Sequence, residues 1–239
     1  MQLEPLGGDG LAHKHEQSLE EFEALALSRF TCRAFDSAQV PRPLIERLLQ
    51  VAQRTATWCN TQPWQVVVTE GDATRRFADA LYAHALSGAP PHSDVPFPGP
   101  YVGRFDERRK QVGKQLYGAL GIEKGDREAS RRQTLENFRL FGAPHVALVT
   151  SEQALGPYGI LDCGFYMGQF LLAAQAAGLA TAAQAAIAMH SDFVRSYFNI
   201  PPGRLLLCGI SFGYADQSQP VNNFRTGRAP LEQVAEFIS

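Results

Sequence analysis

Apolar residues recur along this chain at two spacings, and the alternation between them divides it into helices and strands. Leu19, Phe22, Leu25 and Ala26 fall at helical spacing behind Ser18-Leu19-Glu20-Glu21, which has the order of a capping box, so a helix is predicted from Ser18 to about Ser28. From Pro43, a second stripe of Leu44, Ile45, Leu48, Leu49 and Ala52 predicts a helix to about Arg54. Trp64-Gln65-Val66-Val67-Val68-Thr69 is short, β-branched and closed by Gly71, which reads as a core strand, and Asp72 then caps a third helix. Between Ser87 and Tyr101, Pro90, Pro91, Pro96, Pro98 and Pro100 exclude helix and central strand and predict a long exposed loop. Arg104 to Phe141 is charged and helical in tendency. His145 to Thr150 reads as a strand, Pro157 to Gly178 as a helix, Phe193 to Phe198 as a short helix and Leu205 to Phe212 as a strand, with a small terminal helix opening at Pro230. Strict βαβ alternation is absent, so the pattern favours an α+β fold with helices packed on a mainly antiparallel sheet.

The stretch Cys163 to Ser191 holds no Asp, Glu, Lys or Arg and is long enough to span a bilayer. Its Ala- and Gly-rich content, Gln169, Gln175 and Gln184, and Asp162 at its start read instead as a buried helix without a membrane partner. Apolar residues surround its axis, as a helix enclosed on all sides requires, and the enclosure could include a second subunit. The composition, 45% hydrophobic and 19% charged with a net charge of -2 over 239 residues, excludes disorder and a polybasic nucleic-acid binder. Residues 1–17 read as a polar tail without a secretory signal, and 18–239 as a single domain with a cap over about 88–141. Cys32, Cys59, Cys163 and Cys208 show no C-x-x-C pair, so four buried thiols and a reducing, cytoplasmic setting are expected.

Gly209-Ile210-Ser211-Phe212-Gly213 matches the G-x-S-x-G nucleophile elbow, but no helix signal follows and no histidine occurs after His190, so Ser211 reads as an ordinary strand residue. Neither G-x-G-x-x-G nor a P-loop is present, so a phosphate would have to be held by side chains. Histidines 13, 15, 84, 92, 145 and 190 lack metal-ligand spacing. Two basic clusters remain: Arg29-Phe30-Thr31-Cys32-Arg33-Ala34-Phe35, at a helix end, and Asn223-Phe224-Arg225-Thr226-Gly227-Arg228-Ala229-Pro230. Paired guanidinium forks of this kind suit a phosphate or an anionic ring edge. Between them, Trp58-Cys59-Asn60-Thr61-Gln62-Pro63-Trp64 puts two indoles and an amide pair in a loop, more rigid aromatic surface than a loop usually carries.

Taken in order, these pieces resemble the FMN-dependent nitroreductase family: an R-R-S-x-R-x-F opening, an N-T-Q-P-W loop, a G-L-x-T turn (Gly178-Leu179-Ala180-Thr181) and a late R-x-x-R-x-P, across about residues 20 to 238. The resemblance implies an α+β fold in an intertwined homodimer, with two FMN molecules at the interface and each site built from both chains. It places Arg29, Thr31 and Arg228 on the FMN phosphate, Arg225 beside them, and Arg33 near N1 and O2 of the ring. A fixed cation there stabilises the negative charge of the reduced flavin. Backbone N–H groups of Ala183, Gln184 and Ala185 are expected at N5 and O4, and Thr57, Trp58 and Asn60 at the ring and ribityl chain. Phe30 stands where the family has a second arginine and contributes through its backbone; Ala56-Thr57-Trp58 replaces a proline-serine-small segment, so that Trp58 narrows the acceptor mouth.

The implied activity is transfer of reducing equivalents from NADPH or NADH, through FMN, to a small electron acceptor such as a nitroaromatic or quinone. The kinetics are ping-pong and no side chain acts as an obligate acid or base. Tyr101 and Phe105 are further candidates for acceptor contacts. The alternatives are a dehalogenating or flavin-destructive relative on the same fold and a non-catalytic flavin-binding protein.

Overall fold

The structure, a computed structural model, describes residues 8–238, with side chains from residue 15 onward. The first seven residues of the expected polar tail, and the His13 side chain, lie outside the described residues. Four strands form one sheet: β1 (Trp64–Glu70), β2 (His145–Glu152), β3 (Ala180–Gln184) and β4 (Arg204–Gly213), in the order β1-β2-β4-β3. Every neighbouring pair is antiparallel. The eight helices among the described residues are α1 (Gly8–Ser28), α2 (Arg42–Ala52), α3 (Asp72–Leu86), α4 (Arg104–Ala119), α5 (Arg127–Leu135), α6 (Gly156–Ala176), α7 (Ala185–Ala188) and α8 (Ser191–Phe198).

Strand periodicity explains how helices come to lie on both faces of the sheet. Ala147 and Val149 of β2, with Ile210 and Phe212 of β4, point into a core shared with Ile45 and Leu48 of α2 and with Tyr166 and Phe170 of α6. Val146, Leu148 and Leu206 point the other way, onto Phe77 and Leu81 of α3, Ile187 of α7 and Val194 of α8. β2 is therefore buried along nearly its whole length, which is why it reads as a continuous apolar run.

Several sequence expectations need correction. α1 begins at Gly8, ten residues before the capping box; the polar run ahead of that box contains no proline, so nothing in it forbids the helical hydrogen bonds. Gly71, not Asp72, occupies the N-cap of α3, at φ 51°, and Asp72 sits in the first turn, where its charge suits the helix dipole. β3 and α7 had no strand or helix signal; Ala180-Thr181-Ala182-Ala183 becomes a strand through its pairing with β4. The terminal helix after Pro230 is a single 3-10 turn, Leu231–Gln233. The proline-rich segment lacks regular structure, as expected, but is tied down. The Asp94 side chain is buried, pairs with Arg195 of α8 and accepts the Leu206 N–H at 2.8 Å, while His92 exchanges backbone hydrogen bonds with Met189 and Ser191.

α6 is the largest departure. Cys163, Tyr166, Phe170 and Ala174 of this helix are buried against the sheet, whereas Tyr158, Leu161 and Phe165 are 57%, 50% and 54% exposed. The helix is apolar all round, as its sequence indicates, yet within one chain only half of it is covered. Among the described residues no helix is long and apolar enough to cross a membrane.

Candidate functional site

α1 ends at Ser28, and the chain runs extended beside the sheet: Thr31 bridges Thr181, and the Cys32 N–H donates to the Thr181 carbonyl at 2.9 Å. This fixes the first basic cluster against the start of β3. The second is brought to it by Asn222, a residue 1% exposed in a 3-10 turn, Pro220–Asn222. Its Oδ1 accepts the Arg33 N–H at 2.9 Å, and its Nδ2 donates to the carbonyls of Ala34 at 2.8 Å and Asp216 at 2.9 Å. One amide therefore ties two segments almost 190 positions apart, and sequence reasoning missed it because it lies one residue before the cluster that was singled out.

The result is a cavity of about 300 Å³ lined by Arg29, Phe30, Thr31, Arg33, Arg225 and Arg228, with Phe224 and α4 residue Val112 at its sides. Four guanidinium groups converge there, and among the described residues none of them has a carboxylate within 4.0 Å. Burial, and then the charge of Arg228, push the Arg29 pKa below its ordinary value; burial does the same for Arg33. Arg228 spends its hydrogen bonds on the Thr226 and Gly227 carbonyls and the Thr226 hydroxyl. Arg225 donates to the Asn222 and Phe224 carbonyls and lies 4.0 Å over the Phe30 ring. Phe30 thus has a side-chain role as well: it removes one cation of the family pattern and supplies a face on which another cation rests. A site with this much unbalanced positive charge suits a polyanion, and a phosphate monoester fits its forks.

β3 leads away from this cavity. Ala183 and Ala185 are exposed and alternate with buried Gln184, leaving a strand end whose side chains do not obstruct a flat ligand. The Gln184 side chain is committed inward, receiving a hydrogen bond from the Ser211 hydroxyl and donating to the Asn137 carbonyl at 2.8 Å. That side chain is therefore not available to a ligand. The G-x-S-x-G match has a packing origin: a Cβ on Gly209 would meet Ile187 Cδ1 at 2.4 Å, and one on Gly213 would meet Pro144 Cδ at 2.7 Å.

The third group lies elsewhere. Trp58–Asn60 forms a 3-10 turn in which Cys59 and Asn60, followed by Gln62, have φ of 51°, 56° and 47°. Left-handed backbone at three non-glycine residues costs of order 1 kcal/mol each. The Thr57 hydroxyl accepts the Gln62 N–H at 3.3 Å, and the Gln62 amide donates to Asn60. Trp58 stands edge-on to Tyr158 at 4.5 Å, at the amino end of α6, where the two line a second cavity of about 330 Å³ with Asp162. The arginine cavity is at the opposite end of the same helix, where Gln175 donates to the Ser28 hydroxyl at 3.0 Å. At 1.5 Å per residue, Tyr158 and Gln175 are about 25 Å apart. A single chain therefore brings together Arg29, Phe30, Thr31, Arg33, Arg225, Arg228 and the end of β3, and leaves Thr57, Trp58 and Asn60 apart from them.

Cys59 is exposed, contrary to the expectation of four buried thiols; the other three are buried and burial raises each to about 11, so they stay protonated. Among the described residues no group of three or more His, Cys, Asp or Glu is arranged to hold a metal ion.

Comparison with known proteins places this arrangement. The model of the Nitroreductase family matches residues 26–214. A nitroreductase, NfnB, of Mycolicibacterium smegmatis is 36% identical over 90% of this chain and 92% of its own length. A 4-nitrobenzoate reductase of a Nocardioides species is 31% identical over 92% and 91%. Among solved structures, that of the FMN-dependent nitroreductase NfnB from Mycobacterium smegmatis in complex with NADPH aligns with a TM-score of 0.88 at 34% identity, covering 92% of this chain and 100% of the other. A nitroreductase with bound FMN from Desulfitobacterium hafniense, at 17% identity and a TM-score of 0.59, shares the fold alone. With its opening arginine segment, N-T-Q-P-W loop and four-stranded sheet all in place, the chain belongs to the nitroreductase family.

Proposed function

We propose that the protein is a homodimeric, FMN-dependent oxidoreductase that uses NADPH to reduce nitroaromatic acceptors. The observation that carries this reading is the cavity of four unneutralised arginines beside an unobstructed strand end. The fit to FMN follows from charge: burial, and then the charge of Arg228, lower the Arg29 pKa, and a phosphate dianion beside it would offset both. Arg29, Thr31, Arg225 and Arg228 would hold that phosphate, and Arg33 would face the ring edge on which negative charge develops. The backbone at Ala183, Gln184 and Ala185 would meet the ring's polar edge. When bound, FMN would supply the hydride-transfer chemistry between NADPH and the acceptor. The chain itself orients, neutralises charge and restricts access, and no side chain acts as an obligate acid or base.

The dimer is part of the proposal because the site is incomplete without it. Antiparallel two-fold packing along the exposed face of α6, with the axis near the helix middle at Phe165 and Gln169, would set the amino end of one α6 beside the carboxyl end of the other. Thr57, Trp58 and Asn60 of one protomer would then cover the arginine cavity of its partner. Leu231, Val234, Phe237 and Ile238, 60 to 91% exposed in one chain, are further surface for that contact. The segment 88–141, pinned at Asp94, would cap the site and select the acceptor, with Tyr101 and Phe105 exposed on it. We place the enzyme in the cytoplasm, where NADPH is available and its thiols stay reduced.

The test is direct. Purified protein should show visible flavin absorption that NADPH bleaches and a nitroaromatic restores; colourless protein that ignores added FMN refutes the reading. Phe165→Glu should give a monomer that loses FMN on gel filtration, and a monomer that retains it refutes the shared site.

A further inference from the structure

The loop carrying Trp58 and Asn60 is held at its two ends by buried charges of opposite sign. Asp162 of α6, 5% exposed, accepts the Trp58 N–H at 3.2 Å. Arg204, 6% exposed at the start of β4, donates through Nη2 to the Pro63 carbonyl at 3.0 Å, while Nη2 and Nε also bind the Thr150 carbonyl and hydroxyl at 3.0 and 2.8 Å. The two charges do not pair with each other. The nearest carboxylate to Arg204 is that of Glu152, at 3.5 Å and 45% exposed, and among the described residues Asp162 has no cation within 4.0 Å. Burying either charge is costly, and a well-packed apolar side chain would fill the same space at less expense. What the charges supply is hydrogen bonds to a backbone that has no ladder partner. They act on a segment with left-handed φ at Cys59, Asn60 and Gln62, a conformation that persists only where its surroundings over-determine it.

We infer that Asp162 and Arg204 are positioning residues: they set the shape of the Trp58–Gln62 loop, and through it the acceptor side of the site, without touching cofactor or substrate. The inference rests on the proposal that this loop reaches the flavin ring. Both side chains bond backbone atoms at the loop's ends, and the loop's own hydrogen bonds, from Gln62 to Thr57 and Asn60, close the span between them. A shift at either end is therefore passed directly to the exposed Trp58 indole and the Asn60 amide.

The experiment compares the FMN-loaded dimer with Arg204→Met, Asp162→Ala, Asp162→Asn and Trp58→Ala, measuring FMN affinity, thermal midpoint, and kcat and KM for NADPH and for a nitroaromatic. Arg204→Met and Asp162→Ala should lower acceptor kcat/KM by about tenfold or more, because small misplacements in a reacting geometry are costly, while FMN affinity changes by less than about threefold. Asp162→Asn keeps an oxygen for the Trp58 N–H and should return to within about threefold of the wild type. Wild-type acceptor kinetics in both Arg204→Met and Asp162→Ala, or an Asp162→Asn as damaged as Asp162→Ala, overturn the inference. If Arg204→Met does not fold, the two Asp162 variants decide it. Wild-type protein that NADPH cannot reduce sinks the functional reading instead. Trp58→Ala separates the two failures: altered acceptor kinetics there with unaffected Asp162 and Arg204 variants sinks the positioning role alone.

Discussion

Replacing Asn222 by Ala removes the side chain whose hydrogen bonds tie the two arginine segments together. The amide makes three hydrogen bonds of 2.8 to 2.9 Å in a position 1% exposed, and their partners, the Arg33 N–H and the Ala34 and Asp216 carbonyls, are left without it. At about 1 kcal/mol net per bond the loss is about 3 kcal/mol, and more if water cannot reach the orphaned Arg33 N–H; the Ala34 and Asp216 carbonyls keep the Asp216 and Gln219 N–H donors at 3.0 and 3.4 Å. For a chain of this length each kcal/mol lowers Tm by about 2–4 °C, so the cofactor-free protein should melt about 6–12 °C lower. Asn222→Asp keeps the acceptor for Arg33 but turns a carboxylate oxygen toward two carbonyls, and should cost at least as much. Urea unfolding of the cofactor-free forms gives the free energy, and the midpoint shift on adding FMN gives the effect on the site. A cost below about 1 kcal/mol for Asn222→Ala would refute the assignment of Asn222 as the tie between the clusters.

Three further outcomes follow from the geometry. Arg228→Ala should weaken FMN retention by about 1.5 to 3 kcal/mol, about ten- to a hundredfold in Kd, with relief of the repulsion on Arg29 keeping it toward the lower end; unchanged affinity by fluorescence titration would mean the phosphate is held elsewhere. Gly209→Ala should be destabilising by about 1–3 kcal/mol, since its Cβ would meet Ile187 Cδ1 at 2.4 Å, and Ile187→Ala in the same chain should recover part of the loss in urea melts. His145 is buried and neutral, its Nε2 accepting the Val40 N–H at 2.9 Å while Nδ1 faces the Thr69 carbonyl at 3.2 Å, and burial lowers its pKa. Below the ordinary histidine range the unfolded chain binds a proton that the folded one refuses. The stability this group contributes is thus complete above about pH 6.5 and is lost as pH falls. His145→Gln should flatten that part of the stability–pH curve, and an unchanged slope would refute the role, although His190, also lowered by burial, contributes in the same direction.

What the sequence made legible was whatever one chain satisfies locally. The stripe from Leu44 to Ala52 and the run from Trp64 to Thr69 became α2 and β1 almost at the expected boundaries, because α2 buries one well-defined face and β1 is a β-branched run packed on both sides of the sheet. β3 was not legible, since its alanines have no strand preference and only the ladder with β4 makes them extended. The arginine segments could be picked out by charge, but their convergence depends on Asn222, an ordinary asparagine until its three partners are seen. Arg204 was invisible for the opposite reason, and Asp162 was read only as a polar residue opening the long apolar helix: buried charges run against the apolar pattern that sequence reading uses, so neither suggested a role at the loop. The left-handed turns at Cys59 and Gln62 were equally hidden, because neither residue type favours them.

α6 is where fold and site become one problem. Its inner face is committed to the sheet through Cys163, Tyr166 and Phe170, and its outer face carries Tyr158, Leu161 and Phe165, each left half or more exposed by the described residues. The same helix separates the arginine cavity from the Trp58 loop by most of its length. In the proposed dimer a single packing event removes both deficits, covering the apolar stripe and bringing each loop over the cavity of the other protomer. Cofactor and partner are then linked by mass action: a ligand that touches both protomers binds the assembled state alone and stabilises it, while each protomer lends its partner the half of the site that it cannot use itself.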